Sequence, residues 1–158
     1  MVKKYTKEEV LNFLRENPIM SAAMCGENGR PVATVLLFTV DDNFVIGFIT
    51  KAGTFKEKAL NVNPLMSMAV WKNKKMEVQM SGMTEKVTHM AEVEVLLDKL
   101  AEAVNVVDDF WAPVLKYPGD YVGYKFVPDW VRVLDLSSES ISESESGFVE
   151  FKVEKKLL

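Results

Sequence analysis

Short turns, instead of long crossovers, separate most of the apolar segments of this chain, and that limits how its strands can run. Gly26-Glu-Asn-Gly29 stands between Ile19–Cys25 and Val32–Val40, and Asp41-Asp42-Asn43 stands between that stretch and Phe44–Thr50. Asn73-Lys74-Lys75 likewise separates Leu65–Trp71 from Met76–Thr88. A parallel pair needs a crossover of a dozen or more residues, so links this short make neighbouring strands antiparallel. Val32–Val40 and Phe44–Thr50 are therefore expected to pair as a hairpin. Tyr121–Phe126 and Trp130–Leu136, split by Val127-Pro128-Asp129, add two further strands. Val149, Phe151 and Val153 alternate with charged residues and predict a closing one.

Helices interrupt this series. Thr6-Lys-Glu-Glu9 has the form of a capping box ahead of the apolar positions Val10, Leu11, Phe13 and Leu14, and Asn17-Pro18 stops that helix. Thr54 stands where an N-cap belongs before the helix formers Lys56 to Leu60, and Asn63-Pro64 ends the segment. Val93, Leu96, Leu97 and Leu100 recur at helical spacing within Ala91–Ala103. Many short antiparallel strands with helices inserted between them favour a mainly β fold, a closed or partly open β-barrel, over a layered parallel sheet. Gly82, inside a long strand, marks a bulge or bend. Val32–Val40 is almost continuously apolar, so it should be covered on both faces, by a helix or by a second copy of the chain. That reading points to a homodimer interface.

At 158 residues the chain suits one domain, residues 1–158. A net charge of −4 with dispersed lysines argues against nucleic acid as a partner. The single Cys25 cannot form an intramolecular disulfide, the N-terminus lacks an apolar signal core, and no apolar run is long enough for a membrane span. The expected location is cytoplasmic.

One Cys and one His, His89, cannot assemble a zinc site of Cys and His ligands within the chain. No nucleophile elbow, P-loop or dinucleotide fingerprint occurs. The carboxylate pairs Asp41-Asp42 and Asp108-Asp109 lie in turns, where solvation is their ordinary role. Any enzymatic chemistry would then be carried by a cofactor. The stretch best suited to hold one is the passage from strand to helix. Beyond Thr50, a turn containing Gly53 leads to Thr54, so first-turn amides, the hydroxyls of Thr50 and Thr54 and the ammonium groups of Lys51, Lys56 and Lys58 could together cradle a phosphate. The competing reading is a solvated surface helix. Residues 104–120 read as irregular, and Phe110-Trp111-Ala112-Pro113 would either wall a planar ligand or plug the core. The acidic, Ser-rich run at 137–146 reads as a solvated loop or a phosphorylated regulatory segment.

The ordered series Gly29-Arg-Pro-Val-Ala-Thr-Val-Leu-Leu-Phe38, Phe48-Ile-Thr-Lys-Ala-Gly-Thr-Phe-Lys56 and Leu60-Asn-Val-Asn-Pro64 resembles the pyridoxamine 5′-phosphate oxidase family of flavin mononucleotide (FMN)-binding split barrels. The strand Pro128-Asp-Trp-Val-Arg-Val-Leu-Asp135 resembles that family's closing segment. The resemblance implies a homodimer with cofactor sites at the subunit interface. It assigns Thr34, Val35, Leu36 and Leu37 to the strand lining the flavin. In the segment from Ile49 through Lys51, Thr50 matches a hydroxyl near the ring and ribityl chain. Thr54 matches a small hydroxyl at the phosphate, Phe55 and Lys56 the pair that follows, and Lys56 becomes the phosphate cation. Glu77 falls where oxidase members often have an amide reaching the flavin from the other side, and Trp111 and Trp130 become candidate aromatic walls.

The departures from the family pattern are specific. Phe55 and Thr34 each stand where the oxidases carry an Arg, and the oxidases' basic C-terminal segment has no counterpart in the acidic Ser-rich run. Pyridoxamine 5′-phosphate is therefore a poor candidate substrate. The resemblance implies a dimeric FMN flavoprotein, an oxidoreductase passing hydride or electrons to or from a small-molecule substrate or electron donor. Its rivals are a non-catalytic module for flavin, heme or deazaflavin, and a ligand-free interaction protein.

Overall fold

The computed structural model describes residues 5–107, 120–137 and 148–153. Helix α1 (Lys7–Glu16) starts at the expected capping box, with the Glu9 amide donating to Thr6 Oγ1 at 3.2 Å and the Thr6 amide donating to the Glu9 carboxylate at 2.8 Å. Its apolar side, Val10, Leu11, Phe13 and Leu14, is buried.

The strands are β1 (Ile19–Cys25), β2 (Pro31–Leu37), β3 (Thr39–Val40), β4 (Ile46–Lys51), β5 (Leu65–Lys72), β6 (Met76–Val87), β7 (Tyr121–Asp135) and β8 (Phe148–Lys152). Helix α2 (Phe55–Val62) lies between β4 and β5, and α3 (Met90–Val104) between β6 and β7. The strands form one sheet in the order β2-β1-β5-β6-β7-β4-β3, with β8 added along β7, and every pairing is antiparallel. The two ends of that order, β2 and β3, are consecutive in the chain and joined through Phe38 alone. The sheet therefore curls until its ends meet in one bent segment, a mainly β split barrel with helices set around it.

That bend corrects the expected hairpin. Val32–Val40 is two strands, because Phe38 is fully buried and its amide turns to the Pro18 carbonyl at 2.9 Å. Only Thr39 and Val40 pair with β4, whereas β2 pairs with β1. Double coverage moves as well. Ala33 and Val35 face outward and are exposed, whereas Ile46 through Thr50 of β4 are all buried. Ile46 and Phe48 enter the barrel core, and Ile49 packs with Leu96 and Leu100 of α3 on the outside. Gly47 is what lets α3 approach so closely, since a Cβ there would lie 2.6 Å from a Leu96 methyl.

A second correction concerns Val127-Pro128-Asp129, which does not split the strand. β7 runs unbroken because Pro128, which has no amide hydrogen for the ladder, sits opposite Gly82 where the register with β6 shifts. Gly82 is obligatory there, since an added Cβ would stand 2.2 Å from the Val127 carbonyl oxygen and 2.6 Å from Pro128 Cα. The expected bulge and its cause thus coincide. The strand expected from Phe44 begins at Ile46 instead, because Phe44 takes a left-handed φ of 63° in a turn tied by the Asp41 carboxylate, which accepts from the Asn43 and Val45 amides. Trp111 and residues 138–146 of the acidic run lie outside the described residues.

Candidate functional site

The junction of β4 with α2 is built as the sequence suggests, but its hydrogens are already assigned. Gly53, with φ +77°, makes the turn, and Thr54 caps α2. Thr54 Oγ1 donates to the Lys51 carbonyl at 2.9 Å and accepts the Glu57 amide at 3.4 Å. Its single hydrogen being spent, the 3.1 Å contact with Thr50 Oγ1 has Thr50 as the donor. Both hydroxyl hydrogens therefore lock the strand to the helix, and Thr50 is only 2% exposed.

The Glu57 carboxylate folds back over the helix start, accepting the Gly53 amide at 2.8 Å. It also accepts from Asn61 Nδ2 at 3.1 Å and lies 3.4 Å from Lys86 Nζ. The Gly53 bond first, then the Asn61 bond and Lys86, hold this carboxyl below the ordinary range. What remains open to an incoming anion is the pair of first-turn amides of Phe55 and Lys56, for which no intrachain acceptor occurs among the described residues. Lys51, Lys56 and Lys58 make no ion pair among those residues either. Amides at a helix start with unpaired ammonium groups around them fit a phosphate monoester.

Tyr124 lies in the barrel below this helix start. It is directly opposite Phe48 on one side and Lys86 on the other, so these side chains share the inner face of their strands. Its ring stacks on Phe48 at 5.4 Å and 17°. It is 2% exposed, yet its hydroxyl has no hydrogen-bond partner among the described residues. Burial, then the charge of Glu57, pushes it up to about 12.

α2 packs against β1, β2 and β4. β2 is an edge strand, so one side of its backbone offers unpaired N–H and C=O groups. Thr34 on it is half-buried, Val35 is 56% exposed, Leu36 enters the barrel core and Leu37 packs under α3. Phe55 is 83% exposed and Lys56 half-buried. Glu77 is not brought to this cluster within one chain. It sits on the outer face of β6, with β1 and β5 between it and β2, about 14 Å across three strand spacings. There it accepts from Gln79 Nε2 at 2.8 Å.

Several participants escaped the sequence reading. Glu57 was legible as the fourth residue of Thr54-Phe-Lys-Glu57, a second capping-box pattern. Tyr124 and Lys86 carry no local signal, since only strand register sets them side by side. Arg132 is held on the outer face of β7 with its guanidinium 3.9 Å from the Phe148 ring and 5.0 Å from that of Trp130. Its Nη2 donates to Gln79 Oε1 at 2.8 Å, and its Nε is buried with no partner among the described residues. A cavity of about 710 Å³ lies elsewhere, between α3 and the corner of α1 and β3, and none of the predicted site residues among the described ones lines it. Among the described residues no group of three His, Cys, Asp or Glu could hold a metal ion, and no helix is long and apolar enough to cross a membrane.

Solved structures share this architecture. A conserved hypothetical protein of Mycobacterium tuberculosis superimposes with a TM-score of 0.72 at 19% identity, covering 90% of this chain and 96% of that one. A FAD-binding protein of Mesorhizobium loti gives 0.64 at 18% identity, covering 84% and 95%. A heme binding protein of Mycobacterium smegmatis gives 0.67 at 14% identity, covering 96% of this chain but 60% of that one. At such identities the likeness establishes the fold. No curated protein matches the chain by sequence. The family model described as pyridoxamine 5′-phosphate oxidase, however, matches residues 6–135, a span that runs from the cap of α1 to the end of β7 and includes both the β2 edge and the α2 helix start. With that match over most of its length, the chain belongs to the pyridoxamine 5′-phosphate oxidase family.

Proposed function

We propose that this chain binds flavin mononucleotide and serves as an oxidoreductase toward a small substrate or electron donor. The observation that carries the reading is one helix that has open first-turn amides and packs against an edge strand: α2, whose start is flanked in sequence by Lys51 and Lys56, packs against β2. In this reading the Phe55 and Lys56 amides and the two ammonium groups take the phosphate. The free backbone groups along Thr34 to Leu37 take the polar rim of the ring, and Ile49 and Thr50 fix the junction that holds the two parts at a constant spacing. FMN supplies hydride or single-electron transfer when bound, and the protein's part is to orient it, limit water and set access. The match to this family and the FAD-binding neighbour support a flavin. The Arg residues absent at Phe55 and Thr34 leave the lysines and the helix dipole to balance the phosphate charge, which makes binding sensitive to salt.

The outer face beside that edge favours a second copy as its cover. Ala33 and Val35 of β2 stand opposite Ala23 and Ser21 of β1, which stand opposite Ser67 and Ala69 of β5. An outer face of mostly small residues, continued by exposed Trp71 and by Leu65 at 54% exposure, suits a self-complementary dimer with the ligand at its margin. Glu77 and Trp130 would then face the partner's ligand across the interface.

The test is an absorption spectrum of the purified protein followed by titration with FMN. A flavin spectrum, or saturable uptake of FMN, supports the reading. A Soret band would point to heme instead, and a colourless protein that rejects FMN overturns it.

A further inference from the structure

We propose that Glu57 has two seats at the α2 helix start, and that an arriving phosphate moves it from the Gly53 amide to the buried hydroxyl of Tyr124. The inference rests on the reading that a flavin phosphate binds at this helix. In the structure the first seat is filled, with the carboxylate on the Gly53 amide at 2.8 Å. A phosphate drawn to the neighbouring amides of Phe55 and Lys56 would place a second anion at the same helix end, and two like charges at that separation repel strongly. The carboxylate therefore has reason to leave.

A second seat is ready for it. Lys86 and Tyr124 are direct cross-strand partners on the inner face of the barrel, and the Lys86 ammonium is already 3.4 Å from the Glu57 carboxylate. The Tyr124 ring is fixed by Phe48, also its direct partner, and its hydroxyl is a buried donor with no acceptor among the described residues. A buried donor left unpaired is costly, and a carboxylate is the strongest acceptor the chain can offer it. Displacement thus frees the Gly53 amide for the phosphate and satisfies Tyr124 in one motion. No covalent step is involved.

The test is a double-mutant cycle read by quenching of flavin fluorescence, with the melting temperature of the ligand-free protein measured in parallel. Tyr124→Phe is expected to weaken FMN roughly tenfold, the size of one hydrogen bond to a charged group, without lowering the melting temperature of the empty protein. Its affinity for riboflavin, which has no phosphate, is expected to stay unchanged. In a Glu57→Ala background, or Glu57→Gln should the alanine variant not fold, Tyr124→Phe is expected to have no further effect on FMN. An equal loss with and without Glu57, an equal loss for riboflavin, or a binding loss that tracks a fall in melting temperature overturns the two-seat account while leaving the flavin reading intact. A wild-type protein that binds no FMN overturns both.

Discussion

Replacing Gly82 with alanine tests whether the bulge between β6 and β7 governs the geometry of the site. The new Cβ would stand 2.2 Å from the Val127 carbonyl oxygen and 2.6 Å from Pro128 Cα, about an ångström inside normal contact in each case. Both obstacles are main chain, so no rotamer change relieves them, and the two strands must part where the register already shifts between Ser81 and Gly82. Overpacking of this kind costs about 1–3 kcal/mol, and with backbone on both sides we expect the upper end, about 3 kcal/mol. For a chain of 158 residues that lowers Tm by roughly 6–12 °C. Gly47→Ala is the control: its Cβ meets a Leu96 methyl at 2.6 Å and Thr39 Oγ1 at 2.9 Å, both ends of side chains that can turn away, so we expect about 1 kcal/mol. Calorimetry of both variants reads the difference. Beyond the bulge, Lys86 pairs with Tyr124 and Thr84 with Phe126, so a slipped register would also turn Lys86 away from Glu57. A Gly82→Ala protein as stable as wild type, or less affected than Gly47→Ala, would refute this reasoning.

Lys56→Ala is expected to weaken FMN about tenfold, close to 1.5 kcal/mol, with the loss shrinking as salt rises; an unchanged titration would remove Lys56 from the phosphate site. Val35→Glu, on the exposed outer face of β2, should yield monomers of normal melting temperature in sedimentation, whereas a wild-type protein already monomeric would contradict the dimer. At alkaline pH, Tyr124 matters because its folded value of about 12 exceeds the ordinary 10.0. Its contribution is whole below pH 10 and is lost as pH climbs toward 12, so Tyr124→Phe should flatten that decline in urea-unfolding midpoints. Glu57 works in the opposite sense: its lowered value adds stability above pH 4.5 that is lost as pH falls below it, and Glu57→Gln should flatten the acid limb.

The local signals in the sequence proved sound where one residue type had one physical job. Thr6 with Glu9 built the first helix cap, Gly82 made the bulge, and the short links at Gly26–Gly29 and Asn73–Lys75 made antiparallel neighbours. What misled was the apolar run from Val32 to Val40. Its composition suits double cover, but the chain uses it to cross from one edge of the sheet to the other at Phe38, and closure of a barrel is a long-range event that no local pattern encodes. Pro128 reads as a break in isolation and is harmless only because Gly82 lies opposite it. At the candidate site the threonine cap and the lysines were readable, whereas the Tyr124–Lys86 pairing depends on register between distant strands. The return of Glu57 onto Gly53 was readable in principle, from its spacing to Thr54.

How much the phosphate adds to binding is measured most directly by titrating the purified protein with FMN and with riboflavin in the same low-salt buffer. Anchoring at the α2 helix start predicts that FMN binds at least tenfold more tightly, an advantage that fades with added salt. Equal affinity for the two flavins would contradict it, because the helix amides and lysines would then have no part in holding the ligand.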